Sequence, residues 1–563
     1  MTTADPIAAD SGAGFDAVVV GAGATGGVAA MALSEAGLRV LVLEAGPELT
    51  ARQALGSEPL NSLRRLANLA GGRQRLQAEH PGYWKHNPAL FADERQNPYL
   101  TPDDAPFLWT RGRQVGGRSL TWGGITLRLS DHEFQAGRRE GKEAAWPIDS
   151  RDLAPWYSRL EQLLGVHGHR DGLPQLPDGH FRPALPFTPA EEHLQRAVGR
   201  ELGLPLIHSR GFALHRPSPE RPWPPSSAQG ITLARALATG RVRLRSHCIV
   251  SHLRLAGDAS RAEGVVVVDG RSGARSFVAA PLVVLCASTI ETLRILLHSG
   301  ESHRRGGLID PSGSLGTGLM DHISSSRFFS IPGLPGPTQS AELSGAGSCF
   351  IPNTLNLGEG NAEGRREAVD FRGGYGLWTA LQRFDPPAVL RRRRGEAVGF
   401  LIGHGEVQRD PANRVTLADG AVDAWGLPVP RIECRWGPNE RAMVVHMQQR
   451  MEAVVSAAGG RIRPLEELFV LPLIEPVVRR AVAVRPEAAP PGYYIHELGG
   501  AAMAARAEQG VVDTWNRCWC APNVLVVDGS CWPSAGWQSP TLTSMALAWR
   551  ACNAAVRERA SLA

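Results

Sequence analysis

A glycine-rich turn between two short apolar runs near the N-terminus constrains the fold more than any other feature of this chain. Residues 15–20 read Phe-Asp-Ala-Val-Val-Val, and residues 21–27 read Gly-Ala-Gly-Ala-Thr-Gly-Gly. An Ala-rich stretch follows and stops at Gly37, a residue suited to the end of a helix. Residues 38–43 form a second apolar run that ends at Glu44. This order predicts a buried strand, a helix and a parallel second strand.

The spacing of the glycines predicts a dinucleotide site. Gly21 permits a tight turn, Gly23 lets the backbone approach a pyrophosphate, and Gly26 allows the helix to pack closely on the strand. Glu44 lies 23 residues after Gly21, where an acidic side chain accepts the ribose hydroxyls and disfavours a 2′-phosphate. The alternative is an Ala- and Gly-rich packing loop, and the pattern does not by itself separate NAD from FAD.

Composition and charge exclude several classes of protein. A chain of 563 residues can bury a large core and is expected to contain more than one lobe. Its formal charge of +5 is small for this size and does not indicate nucleic-acid binding. The chain contains no run of 18 apolar residues, so no membrane span is predicted. The N-terminus lacks the features of a secretory signal, and we therefore expect a cytoplasmic protein. The pair Cys518 and Cys520 is spaced too closely for the common zinc sites, and we expect no metal.

Several segments together resemble one family, although each alone is a weak signal. Near the C-terminus they are 496–500 (His-Glu-Leu-Gly-Gly), 526–530 (Val-Val-Asp-Gly-Ser) and 539–543 (Ser-Pro-Thr-Leu-Thr). Earlier in the chain they are 111–124 (Arg-Gly-Arg-Gln-Val-Gly-Gly-Arg-Ser-Leu-Thr-Trp-Gly-Gly), 146–148 (Trp-Pro-Ile), 153–157 (Leu-Ala-Pro-Trp-Tyr), 413–417 (Asn-Arg-Val-Thr-Leu) and 425–428 (Trp-Gly-Leu-Pro). In this order the chain resembles the glucose–methanol–choline (GMC) family of FAD-dependent oxidoreductases over nearly its full length, and within it the bacterial sugar and sugar-acid dehydrogenases.

The resemblance and the sequence pattern together predict an α/β fold of two interleaved parts. One is a Rossmann-like FAD-binding domain, and the other is an α+β substrate domain built on an antiparallel sheet. The predicted FAD-binding segments are 1–134, 225–323 and 491–563, and the predicted substrate segments are 135–224 and 324–490. Within the FAD-binding segments, alternation predicts one strand over 242–250, and an Ala-rich pattern predicts a C-terminal helix over 541–556.

The resemblance implies that His496 is the catalytic base. Histidine is suited to taking the proton of an alcohol because its pKa lies near neutrality. The family places a second His or Asn where this chain has Ser539, preceded by Gln538. Ser539 can act through water, Gln538 can move in, or His496 can work alone. Glu497 is either a carboxylate that supports His496 without touching the substrate or a surface charge, and we interpret it as a surface charge. The family's Arg-Met-Gly triplet is also replaced, here by Ala-Met-Ala at 502–504.

The loop that runs under the flavin is implied to contain Gly116, Gly117 and Ser119. Trp122 stands where many relatives have Asn and where one variant has a His that links covalently to the flavin. Because that histidine is missing, we expect FAD to be bound noncovalently.

The remaining cofactor contacts are also carried over from the resemblance. The backbone of Val250 is expected to meet the adenine, and Asp528 and Gly529 are expected near the ribityl chain. Pro540 and Thr541 begin a helix whose positive end would stabilise the anionic reduced flavin.

The predicted reaction is oxidation of a CH–OH group to a carbonyl, with hydride transfer to flavin N5. The resemblance implies that the substrate is a sugar, a polyol or a glycosylated small molecule. Seven of the 14 tryptophans flank predicted site segments, where their indole faces suit sugar C–H faces, or else they belong to the core: Trp84, Trp109, Trp122, Trp515, Trp519, Trp532 and Trp537. Oxygen, a quinone or an electron carrier is the expected acceptor. The alternatives are a lyase or isomerase on the same FAD fold, and a relative with a decayed site.

Overall fold

The structure is a computed structural model, and it describes residues 14–139, 145–258, 260–302, 310–334, 341–357, 369–383, 391–393, 395–469 and 487–562. The α-helices in these ranges are α1 (Ala24–Glu35), α2 (Ala51–Leu55), α3 (Glu58–Ala70), α4 (Pro81–Lys85), α5 (Asp131–Arg139), α6 (Ser150–Leu164), α7 (Pro189–Leu202), α8 (Thr232–Ala238), α9 (Thr289–Ser302), α10 (Pro438–Ala457), α11 (Leu465–Leu468) and α12 (Thr541–Leu562). The strands are β1 (Ala17–Val20), β2 (Val40–Leu43), β3 (His167–Gly168), β4 (Arg182–Pro183), β5 (Ile207–His208), β6 (Val242–Arg245), β7 (Cys248–Leu255), β8 (Ala262–Asp269), β9 (Arg275–Ala279), β10 (Leu282–Leu285), β11 (Ser326–Pro332), β12 (Cys349–Ile351), β13 (Tyr375–Leu381), β14 (Glu396–Gly405), β15 (Arg414–Val422), β16 (Pro428–Glu433), β17 (Arg461–Arg463) and β18 (Val524–Val526).

A parallel sheet of five strands brings both ends of the chain together. Its order is β18-β10-β1-β2-β6, and Ala17 lies opposite both Leu282 and Val40. Every side chain of β1 and β2 is buried, as expected for strands covered on both faces. Helix α1 packs against α8 and α12. The predicted strand–helix–strand unit is therefore present, and the carboxyl ends of its strands meet the C-terminal segment at one edge.

An antiparallel sheet of six strands forms the second layer that positions the site. Its order is β17-β11-β14-β13-β12-β5, and every neighbouring pair is antiparallel. Strands β13 and β14 are long, and most of their side chains are buried. A parallel sheet beside an antiparallel one is the fold class that the sequence predicts. The bounds of the five predicted domain segments remain predictions.

The prediction of a single strand over residues 242–250 is wrong. The structure divides it at His247, whose φ of +57° lies in the left-handed region. Strand β6 ends at Arg245 and pairs in parallel with β2, whereas β7 starts at Cys248 and pairs antiparallel with β8. The sequence contains no glycine or proline across residues 242–250, so the pattern does not show the turn between the two sheets.

Two further outcomes concern helices. Helix α12 continues to Leu562, six residues beyond the predicted end at Val556. The sequence gives no stop signal at Val556, and element ends are the least certain part of such predictions. In the described part of the chain, no helix combines the length and the apolar character that crossing a membrane requires.

Candidate active site

A cavity of about 490 Å³ opens where the carboxyl edge of the parallel sheet faces the antiparallel sheet. Most residues predicted for the site line it: Gly21, Gly23, Glu44, Gly117, Ser119, Trp122, Val250, His496, Asp528, Gly529, Ser539, Pro540 and Thr541. Gly26 and Gly116 lie outside its lining. The antiparallel sheet contributes Trp378 from β13 and both Ile402 and His404 from β14. Residues from both ends of the chain thus share one cavity.

The glycine turn at the start of α1 forms an open cradle. A Cβ built on Gly23 meets no atom within 4 Å, so space remains beside the backbone. Gly23 is also the N-cap of α1 and supplies no side-chain cap, which leaves the first N–H groups of the helix available to an anion. By contrast, a Cβ on Gly26 would lie 2.0 Å from the carbonyl oxygen of Gly21. Gly26 therefore serves packing, as its position in the motif predicts.

Glu44 lies at the end of β2 and is buried. Its two carboxylate oxygens accept hydrogen bonds from the backbone N–H groups of Ala22 and Gly46, each at 3.0 Å. Burial raises the pKa of Glu44, and these N–H groups oppose that rise. A carboxylate has about four acceptor sites, so ribose hydroxyls can still donate to it.

Two arginines of the segment 111–124 supply unused donors to the same cavity. Among the described residues, Nε and Nη1 of Arg111 and Nη2 of Arg113 are buried without a hydrogen-bond partner. The Arg111 guanidinium stacks on Trp109 with its central carbon 3.9 Å from the ring centroid. Buried unpaired donors are costly, so these groups suit the oxygen-rich parts of a bound dinucleotide.

The loop that carries His496 is held by a buried carboxylate, Asp321. One oxygen of Asp321 accepts the backbone N–H of His496 at 2.9 Å, and the other accepts those of Gly492 at 2.9 Å and Tyr494 at 3.3 Å. Burial, followed by the nearby charge of Glu497, raises the pKa of Asp321 to about 7. Asp321 therefore fixes the backbone of the loop and leaves the ring of His496 free for other contacts.

The ring of His496 belongs to a group of aromatic polar side chains. Its Nδ1 lies 2.7 Å from Nδ1 of His322, and His322 Nε2 in turn lies within hydrogen-bond distance of the carbonyl oxygen of Gly536. Beside them the hydroxyl of Tyr494 contacts Nε2 of His404. His322 is not part of the cavity lining, whereas His496, His404 and Tyr494 are.

The enclosure of these histidines keeps them neutral. Burial lowers the pKa of His496 well below its usual value, and positive charge on His322, His404 or Arg118 lowers it further. Burial likewise lowers the pKa of His322 to about 4. At neutral pH the ring of His496 is therefore unprotonated and able to accept a proton.

The interpretation of Glu497 as a surface charge is wrong. Its side chain is 1% exposed and pairs with Arg118, whose Nη1 lies 2.6 Å from one carboxylate oxygen. Arg118 also donates to the carbonyl oxygen of Ile495 at 3.1 Å and to the hydroxyl of Ser288 at 2.8 Å. The loop predicted to run under the flavin is thus tied to the loop of the predicted base. The sequence could not reveal this buried ion pair, because the partner of Glu497 is an arginine 379 positions away.

Ser539 and Gln538 differ in their access to the cavity. Ser539 lines it and is 6% exposed. Gln538 is fully buried and lies outside the lining, with neither amide atom bonded to a described residue. The segment 502–504, which lacks the family's arginine, is held by backbone hydrogen bonds, among them Ala504 N–H to the carbonyl of Val512 at 2.9 Å.

Sequence reasoning did not identify Asp321, His322, His404 or Tyr494 as site residues. Asp321 and His322 are adjacent in sequence, but nothing in the surrounding pattern marks them as different from other polar residues before a strand. The seven tryptophans near the predicted site segments do not share one environment. Trp109 and Trp122 line the cavity, whereas Trp532 and Trp537 are fully buried in the core.

Comparison with known proteins agrees with this geometry. Two family models described as GMC oxidoreductase match residues 15–324 and 409–548. The chain belongs to the GMC oxidoreductase family. It is 28% identical to 2-methyl-1,2-propanediol dehydrogenase of Mycolicibacterium austroafricanum, over 95% of this chain and 94% of that one. It is also 28% identical to paromamine 6'-oxidase of Streptomyces fradiae, over 96% of this chain and 91% of that one. A solved structure of formate oxidase from Aspergillus oryzae RIB40 shares the fold, with a TM-score of 0.62 and 17% identity over 98% of this chain and 99% of that one.

This GMC protein is an FAD-dependent oxidoreductase that acts on alcohol groups, and its cavity fits the cofactor. The open cradle at Gly23 and the carboxylate of Glu44 fit the pyrophosphate and a ribose. The unpaired donors of Arg111 and Arg113 fit further oxygen atoms of the cofactor. The N-terminus of α12, at Thr541, faces the same cavity and can stabilise negative charge.

Proposed function

We propose that this GMC oxidoreductase oxidises a CH–OH group of a sugar, polyol or glycosylated small molecule to the carbonyl, with His496 as the base. One observation carries the proposal. His496, Ser539 and the dinucleotide cradle at Gly23 line a single cavity, so a substrate beside His496 lies in the same space as the cofactor.

The residues of the chain bind the alcohol and move its proton. The substrate hydroxyl donates to His496, which takes the proton as the carbonyl forms. The hydrogen on the carbon leaves with its electron pair, and FAD, when bound, supplies the acceptor of this hydride at N5. Ser539 replaces the family's second polar residue, and its hydroxyl can hold the substrate oxygen through one hydrogen bond. Gln538 is an unsuitable substitute because it lies outside the cavity lining.

We propose noncovalent binding of FAD. Trp122 occupies the position from which a histidine links to the flavin in a variant of the family, and its indole N–H donates to the carbonyl oxygen of Ser226 at 3.2 Å. Acid precipitation should therefore release FAD into the supernatant. Flavin retained in the precipitate would contradict noncovalent binding.

The substrate class rests on the cavity wall and on the names of relatives. Trp122, Trp378 and Tyr494 line the cavity, and aromatic faces suit the C–H faces of sugars. The relatives at 28% identity are named for 2-methyl-1,2-propanediol and for paromamine. One is a dehydrogenase and the other an oxidase, so oxygen, a quinone or an electron carrier stays the proposed acceptor. We place the enzyme in the cytoplasm.

Anaerobic stopped-flow reduction of the bound flavin tests the proposal. Wild-type enzyme mixed with a panel of polyols, sugars and aminoglycosides should lose the absorbance of oxidised flavin with at least one of them. His496→Ala should keep FAD and slow reduction by roughly two to four orders of magnitude, the usual contribution of general-base catalysis. Ser539→Ala should slow it only about threefold to tenfold, the value of one ordinary hydrogen bond. If His496→Ala slows flavin reduction by less than about threefold, another group accepts the proton of the alcohol.

A further inference from the structure

The contact between His322 and His496 defines which nitrogen of His496 carries a proton. A neutral imidazole has one N–H donor and one bare acceptor nitrogen, and the hydrogen bond at one nitrogen fixes the other. The network therefore has a direction, which is set by the group at its end. That group is the backbone carbonyl of Gly536, which can only accept.

The direction of hydrogen-bond donation from His496 through His322 to Gly536 follows in two steps. Because the carbonyl of Gly536 accepts, Nε2 of His322 carries the proton, and Nδ1 of a neutral His322 is an acceptor. The two Nδ1 atoms are 2.7 Å apart, so Nδ1 of His496 must donate to it. His496 then has a bare Nε2. His496 lines the cavity and His322 does not, which leaves Nε2 as the nitrogen available to a substrate.

We propose that His322 is a positioning residue that holds His496 in the tautomer with its proton on Nδ1 and a bare Nε2. The inference rests on the proposed role of His496 as the base and deepens it. The two neighbouring residues Asp321 and His322 then both position His496, since Asp321 binds its backbone N–H and His322 binds its ring.

The proposed network also contributes during proton transfer. The O–H bond of the alcohol breaks, and its proton bonds to Nε2 of His496 while the hydride leaves the carbon with its electron pair. The resulting imidazolium donates a stronger hydrogen bond from Nδ1 to the bare nitrogen of His322. His322 stays neutral and gains no proton, because its own Nε2–H remains bonded to the carbonyl of Gly536.

The charges around the pair favour this arrangement. His404 and Tyr494 face His496 from β14 and from the loop, and both are neutral groups near pH 7 because burial lowers the pKa of His404 and raises that of Tyr494. Arg118 is paired with Glu497, and Asp321 is bonded to three backbone N–H groups. The described neighbours therefore include no carboxylate oxygen bonded to either imidazole, and His322 supplies the acceptor that an aspartate supplies in many catalytic histidine pairs.

A direct test reads the protonation state of each ring nitrogen. ¹⁵N-histidine-labelled holoenzyme at pH 7.5, with oxidised flavin and no substrate, is compared with His322→Asn and His496→Gln for assignment. We expect protonated Nδ1 and bare Nε2 in His496, and the reverse in His322. A bare Nδ1 in His496 would overturn the proposal. This measurement needs no substrate, so it stands even if no tested alcohol reduces the flavin.

Variants of His322 test the effect on the reaction. His322→Phe keeps a ring but removes the acceptor, so the rate of flavin reduction should fall roughly 10- to 100-fold, less than in His496→Ala. The acid limb of its pH profile should move to lower pH, because the imidazolium of His496 loses its hydrogen bond and its pKa falls. His322→Asn restores an acceptor oxygen and should recover part of the rate and of the shift.

A matched control separates this role from a general packing effect. His252 and His298 form another pair of rings, with centroids 4.9 Å apart as in His322 and His496, and neither lines the cavity. His252→Phe should leave both the rate and the acid limb unchanged. If His322→Phe binds FAD but shows an unshifted acid limb, or if His322→Asn is no better than His322→Phe, His322 is only a packing residue. If His322→Phe does not retain FAD, the ¹⁵N measurement on the wild type decides alone.

Discussion

At the scale of single residues, the active site depends on pairs that join distant parts of the chain. Arg118 and Glu497 are 379 positions apart, and His322 and His496 are 174 apart. Each pair joins the predicted base, or the residue that follows it, to a different loop. The same pairs act on the pKa of His496, through a hydrogen bond from His322 and through the charge of Arg118, so substitutions there should shift the pH profile of flavin reduction.

Arg118→Leu should raise the pKa of His496. The substitution removes a positive charge that lowers this pKa, and it leaves the buried carboxylate of Glu497 without its partner. The acid limb of flavin reduction should therefore move to higher pH, opposite to the shift expected for His322→Phe. Loss of the pair should also destabilise the fold by about 3 kcal/mol. The pH profile and the thermal midpoint are measured together.

The double substitution Arg118→Leu with Glu497→Leu is the matched control. It removes both charges, so much of the stability lost in Arg118→Leu should return. An acid limb that does not move in Arg118→Leu would show that Arg118 has no electrostatic effect on the base.

At the scale of elements, helix α3 has its polar side toward the protein. Leu60, Leu63 and Leu66 are 44%, 65% and 58% exposed, whereas Asn61 and Arg65 are 4% and 3% exposed. Arg65 donates to the backbone carbonyls of residues 83 and 86 at 3.0 and 2.8 Å. Residue 86 lines the cavity, so α3 holds part of the cavity wall through a polar contact.

Substitutions on the two faces of α3 should therefore have the reverse of the usual effects. Arg65→Leu should cost about 3 kcal/mol, because two carbonyl oxygens lose charged donors, and it should weaken FAD retention. Leu63→Gln should change the free energy of unfolding by no more than about 0.5 kcal/mol, as for other exposed positions. Chemical denaturation of both variants measures the difference. Equal losses in the two variants would contradict this orientation of α3.

At the scale of the whole molecule, one buried carboxyl couples stability to pH. Asp321 precedes strand β11 of the antiparallel sheet and accepts the backbone N–H group of His496. Its pKa is raised to about 7. A group whose pKa is higher in the folded state stabilises the fold fully below its unfolded pKa of about 3.9. That contribution is lost as the pH rises through about 7, because the ionised form is disfavoured by burial.

Asp321→Asn should remove this dependence. The stability of the wild type relative to the variant should fall between pH 4 and pH 8, by an amount on the order of 4 kcal/mol for a shift of this size. Thermal midpoints of both proteins across that range measure the change. Asp423→Asn is a matched control, since Asp423 is buried and accepts the backbone N–H groups of residues 425 and 427. A constant difference between wild type and Asp321→Asn would contradict the raised pKa.

The sequence alone determined the features that depend on local geometry. The turn from Gly21 to Gly26 requires particular residues at fixed spacing, and Glu44 follows directly from the second strand, so the cradle and the parallel sheet were predictable. His496 was identifiable only through its resemblance to a family motif. Within one alternating pattern, however, the sequence could not show that the chain changes sheets at His247.

Tertiary structure alone decided the environment of the base. Glu497 looked like a surface charge until folding brought Arg118 beside it, and His322 became a candidate partner of His496 only because two loops meet behind the cavity. Such contacts lie hundreds of positions apart and follow no period, so no local pattern encodes them. The pKa of His496 and its tautomer depend on those contacts and on burial, which are properties of the folded molecule.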